Sequence, residues 1–71
     1  MAWPGFAERL RQAREESGLS VEAASQKVGV PASRWTEWEE GLDDPSFSEG
    51  MAICKLLSIT PDWALKLKDQ K

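Results

Sequence analysis

Histidine is absent from this chain and cysteine occurs once, as Cys54. Each gap removes a class of function. Without an imidazole, the nucleophile-and-histidine arrangements of covalent catalysis cannot be assembled. One thiol and no histidine cannot supply the four nitrogen and sulfur ligands of a zinc site within one chain. No catalytic residue, metal or cofactor is therefore assigned. A lone cysteine also excludes an internal disulfide, so the core must hold itself by packing. No apolar run approaches the ~20 residues that a membrane helix needs. The opening MAWPGFAERL lacks the basic-then-apolar order of a secretory signal. The expectation is a cytoplasmic chain with no membrane partner. Strand signals are missing as well, because no run alternates apolar and polar with β-branched residues.

What is present reads as helix. The 71 residues, 41% hydrophobic and 30% charged, have the composition of one small globular domain spanning 1–71. A chain of this size buries about 60% of its unfolded surface, enough for one core. Phe6, Leu10 and Ala13 recur at helical spacing, and Gly18 supplies a stop. Ser20 offers an N-cap for a second helix over 21–28, with Ala23, Ala24 and Val28 apolar and Gly29 ending it. Pro31 suits the first turn of a third helix over 31–40, with Trp35 and Trp38 on its inner face and Gly41 after it. Leu42 to Pro45 is a turn. Ser46 and Glu49 form a capping-box pattern for a fourth helix whose apolar positions are Phe47, Met51, Cys54 and Leu57, with Ile53 alongside. Thr60 and Pro61 start a fifth that carries Trp63, Leu65 and Leu67. The fold class is all-α, five helices with a core over about 6–67.

Charge is unevenly placed. The total is −3, yet residues 1–34 sum to +1, residues 35–49 to −6 and residues 50–71 to +2. The six acids of the central stretch (Glu37, Glu39, Glu40, Asp43, Asp44 and Glu49) are accompanied by no base. Non-specific affinity for nucleic acid comes from neutralising phosphates with Lys and Arg, so this stretch works against it.

The pieces "ERLRQAREESGLS", "GV" at 29–30, "WEEG" at 38–41, "PSF" at 45–47 and "DWAL" at 62–65 stand in a set order. With those spacings the chain from Phe6 to Leu65 resembles the lambda-repressor-like, Cro/C1-type (XRE) helix-turn-helix domains. The resemblance implies that helices 21–28 and 31–40 form the helix-turn-helix unit, with the latter in the major groove of double-stranded DNA. It implies an ion pair between Arg14 and Glu39, joining helices one and three. It places Ala32, Ser33 and Glu37 at the base edges and Arg34 near the phosphates or the groove edge. It also sets the N-terminus of helix two, capped by Ser20, against a phosphate. Arg9, Arg11, Lys27 and Arg34 are the bases available for phosphate contacts. Two departures stand out. Val21 occupies a position where the family often has a phosphate-gripping glutamine, and Leu42-Asp43-Asp44 replaces a turn that often carries Lys or Arg.

Two functions follow. The first is a sequence-specific DNA-binding transcriptional regulator, a repressor of phage or prophage type that acts as a homodimer on paired half-sites. The alternative is a helix-turn-helix module that binds a protein partner, a DNA mimic or inhibitor, through the acidic 37–49 surface. Individual residues keep two readings each. Arg34 is a DNA contact or a partner of Glu37 one turn on; Glu37 reads cytosine or is simply solvated. Trp35 fills space left by Ala24 and Gly50, or stands exposed as an anchor for a partner. Trp3 is a flap over the core or part of an interface. Cys54 is a buried, inert thiol.

Overall fold

Caps and stops in the chain set where each helix begins and ends. The computed structural model describes residues 5–65, so Trp3 and Leu67 lie outside the described residues. Five helices follow in order: α1 (Phe6–Glu16), α2 (Val21–Val28), α3 (Ala32–Glu39), α4 (Phe47–Leu57) and α5 (Pro61–Ala64). Among the described residues there is no strand. Ser20 Oγ accepts from the Ala23 amide at 3.0 Å and caps α2. Ser46 and Glu49 form a reciprocal capping box on α4, and Thr60 caps α5 with Pro61 opening it. Each device satisfies amides that the first helical turn leaves without a partner. Gly18 and Gly41 take positive φ, +72° and +73°, where the chain leaves α1 and α3. Pro31 sits one place earlier than its sequence position implied. It is the N-cap of α3, in extended geometry, and its carbonyl accepts from the amides of Arg34 and Trp35.

The core gathers Phe6, Leu10 and Ala13 from α1, Ala24 from α2, Trp35 and Trp38 from α3, and Ile53, Cys54 and Leu57 from α4. Ile59, Trp63 and Ala64 complete it. α3 packs against both α1 and α2, while α5 closes on α1 and α4. Trp35 is 0% exposed, which removes the reading of it as an anchor for a partner. Ala24 and Gly50 are buried as well, small residues in a core that holds two adjacent indoles. The rings of Trp35 and Trp38 lie 5.5 Å apart and tilted by 51°, an arrangement favoured by the ring quadrupoles.

One expectation about α4 is corrected. Phe47 and Met51 do not join the inner face; they are 81% and 47% exposed. The buried stripe is Gly50, Ile53, Cys54 and Leu57, at i, i+3, i+4 and i+7. Both stripes pass through Cys54, and the glycine, having no side chain, leaves the sequence periodicity without its strongest marker. Phe47 and Met51 instead rim a shallow apolar groove of about 200 Å³, lined also by Phe6, Pro61 and Leu65.

A buried carboxylate sits between α1 and α3. Glu39 Oε2 accepts from Arg14 Nε at 2.6 Å and from Trp35 Nε1 at 2.6 Å. Its Oε1 accepts from Arg14 Nη2 at 3.2 Å and more distantly from Arg11 Nε at 3.4 Å. Arg14 also donates from Nη1 to the carbonyl of Leu19, holding the α1–α2 turn to the same guanidinium. Burial alone would raise the pKa of Glu39. The hydrogen bonds from Arg14 and Trp35 outweigh it, and the carboxyl lies below its ordinary value of 4.5.

The two indoles make separable predictions. Trp35 donates to Glu39, whereas Trp38 Nε1 is buried with no acceptor among the described residues. Both lose similar volume on changing to Phe, so Trp35→Phe should cost about 1.5–3 kcal/mol more than Trp38→Phe, the worth of a hydrogen bond to a charged group. Urea denaturation measures the difference, and equal costs would contradict the role given to the indole N–H. Acid gives a second test. Because the folded pKa of Glu39 is lowered, its stabilisation is complete above about pH 4.5 and is lost as pH falls through the folded value. Glu39→Gln should therefore be less stable than wild type at pH 7 and lose less stability between about pH 4.5 and 2.

Candidate nucleic-acid interface

With Trp35, Trp38 and Glu39 turned inward, the helical period dictates what α3 shows to solvent. Ser33, Thr36, Glu37 and Glu40 are exposed and Ala32 and Arg34 are half-buried. Ala32, Ser33 and Glu37 thus lie away from the core on one helix, with α2 packed behind it. Ser20 and Lys27 are exposed at opposite ends of α2, Ser20 as its cap and Lys27 in its last turn. Arg11 is exposed on α1, its guanidinium reaching back to Glu39.

The structure gives Arg34 different partners from the one considered in sequence. Its Nε and Nη2 donate to the two oxygens of Glu49, each at 2.8 Å, across fifteen residues of chain. Asp43 Oδ2 lies 3.5 Å from its Nη1, and its guanidinium carbon stands 5.5 Å from the centroid of the Trp38 ring. Glu37 acts on it only through charge, as the weakest of the influences that raise its pKa. Glu49 does two jobs, since Oε1 also accepts from the Ser46 amide at 2.7 Å. The bond from Arg34 is the largest influence on its carboxyl, and together with the cap it lowers the pKa to about 2. The capping box was legible in the sequence. The Arg34–Glu49 pair was not, because nothing local links a residue in α3 to one in α4.

Arg9, like Arg11 and Arg34, is engaged within the chain. Arg9 stacks over the Trp63 ring at 4.6 Å and donates to the Trp63 carbonyl at 3.2 Å, at the α1–α5 contact. Among the acids, Glu39 and Glu49 are matched by arginines, so the six acids overstate the charge that the surface presents. Cys54 is buried, and burial pushes its thiol above the ordinary value, away from the reactive thiolate. No helix among the described residues is long and apolar enough to cross a membrane.

Ser20 caps α2, and α2 packs against α3, which turns a short polar face outward. The comparisons agree with that geometry. A family model described as a helix-turn-helix domain matches residues 6–64. The uncharacterized HTH-type transcriptional regulator YobD of Bacillus subtilis (strain 168) is 27% identical over 64 residues, 90% of this chain and 57% of that protein. The chain spans little more than half the length of the curated relatives it matches, 57% and 53%. The P22 c2 repressor, solved in complex with a synthetic operator, superposes with a TM-score of 0.83 at 28% identity, covering 89% of this chain and 96% of that one. The restriction-modification controller protein C.AhdI from Aeromonas hydrophila gives 0.76 at 30% identity, covering 86% and 91%. By its sequence and by the five-helix frame that carries α2 and α3, this chain belongs to the lambda-repressor-like helix-turn-helix family.

Proposed function

We propose that this chain is the DNA-binding part of a transcriptional regulator acting inside the cell, and not an enzyme. In this reading α3 enters the major groove of double-stranded DNA, with Ala32, Ser33 and Glu37 facing base edges. The observation that carries it is the outward face of α3, held in place from behind by Glu39 and flanked by the Ser20-capped start of α2. The likeness to an operator-bound repressor supports it. Each side chain brings its own chemistry. Ala32 offers a methyl to a thymine methyl, Ser33 donates or accepts, and Glu37 accepts from cytosine N4. None makes the bidentate contact of Arg with guanine, so base readout is modest and backbone contacts carry more of the binding. Ser20, Lys27, Arg11 and Arg34 are the candidates for those.

Few bases per chain imply that two chains act together on paired half-sites, since each neutralised phosphate adds only a limited increment.

Fluorescence anisotropy of a labelled duplex tests the reading. A random sequence should bind at about 10⁻⁴–10⁻⁶ M and tighten as salt falls. Selection from a random pool should then recover a site of two related halves, bound by two chains. Lys27→Ala should weaken all sequences about equally, while Ser33→Ala should chiefly change which bases are preferred. Absence of binding at low salt and high protein concentration would overturn the proposal.

A further inference from the structure

Arg34 stands in the N-terminal half of α3, the part of a recognition helix that meets DNA. Yet its guanidinium is gripped by Glu49 through two parallel bonds and approached by Asp43. A fork-to-fork grip of this kind is the strongest geometry a carboxylate can offer an arginine, and it is the one a phosphate would use. The cluster of Arg34, Glu49 and Asp43 therefore carries a net charge of −1 where an arginine alone would carry +1. The grip is held firm from the other side, because Glu49 is fixed by the Ser46 amide at the first turn of α4.

We propose that Glu49 is a positioning residue that sets affinity for DNA: it occupies Arg34 as an internal stand-in for phosphate, with Asp43 guarding the remaining edge. This rests on the DNA-binding reading above. When Arg34 engages the duplex it exchanges one anion for another, so most of the gain from the new contact is offset by loss of the old. The arginine then contributes little to non-specific binding, and the chain holds DNA loosely unless the contacts of α3 with bases add to the total. The acidic turn thus acts on binding through one named arginine as well as through bulk charge.

The test compares wild type with Glu49→Gln, Asp43→Asn and Glu15→Gln in the anisotropy titration. Gln keeps a capping box at the N3 position, and Asn at 43 keeps an acceptor for the Asp44 amide, which Asp43 Oδ1 now receives. Glu15 is exposed on α1 and controls for the change in net charge. Glu49→Gln should tighten binding about tenfold at about 50 mM salt and steepen the salt slope by about 0.9, one added phosphate contact. Asp43→Asn should act in the same direction, more weakly. In an Arg34→Ala background both gains should vanish, leaving only what Glu15→Gln produces. Gains that match Glu15→Gln, or that persist without Arg34, would overturn the proposal while leaving DNA binding intact. No binding by any of the proteins would overturn the DNA-binding reading and this one with it.

Discussion

A single buried carboxylate governs the geometry of this molecule. Glu39 receives donors from two directions, the Arg14 guanidinium on α1 and the Trp35 indole on its own helix. An ionised carboxylate inside a protein is costly unless it is paired and hydrogen-bonded, and removing one partner from such a pair costs about 3–5 kcal/mol. That cost is what fixes α3. Any roll of the helix that swings Glu39 away from Arg14 leaves both charges poorly matched. The same roll would pull Trp35 from the core. Ala32, Ser33 and Glu37 face outward because the opposite side of the helix is held in this way. The Leu19 carbonyl, bound to the same guanidinium, ties the turn before α2 into the arrangement.

The acidic stretch becomes less puzzling once its members are separated. Glu39 is interior and Glu49 is bound to Arg34 and to the cap of α4. Glu37, Glu40 and Asp43 remain as exposed charges, with Asp44 half-buried beside them. They lie on and just after α3, where a duplex would approach, and they weaken any attraction that depends on charge alone.

Much of the frame could be read from the chain. Ser20, Ser46 and Thr60 are caps by residue type and spacing, and the glycines after α1, α2 and α3 mark stops that the backbone then uses. Helices of this kind announce their ends locally, so local sequence is enough. The face of α4 was not legible in the same way. The two stripes share Cys54 and Leu57, and only the packing of Gly50 and Ile53 into the core shows that Phe47 and Met51 stay outside. The Trp35–Glu39 bond joins residues four apart on one helix and was open to inference from that spacing. The grip of Glu49 on Arg34 was not, since it exists only after α3 and α4 are set beside each other. The candidate contacts on α3 came from resemblance, and the structure adds which of those residues are exposed and which arginine is already occupied.

A titration of isotope-labelled protein with a short duplex, followed by two-dimensional NMR of the backbone amides, tests the account most directly. If the Glu39 clamp aims α3 as described, the amides of Val21 to Ala23 and of Ala32 to Ser33 should shift first and furthest, with Glu37 following. Those of α5, which packs on α1 and α4, should move little. Shifts concentrated on α4 and α5 with α3 unmoved would contradict it, and would place any contact with DNA on a different face of the molecule.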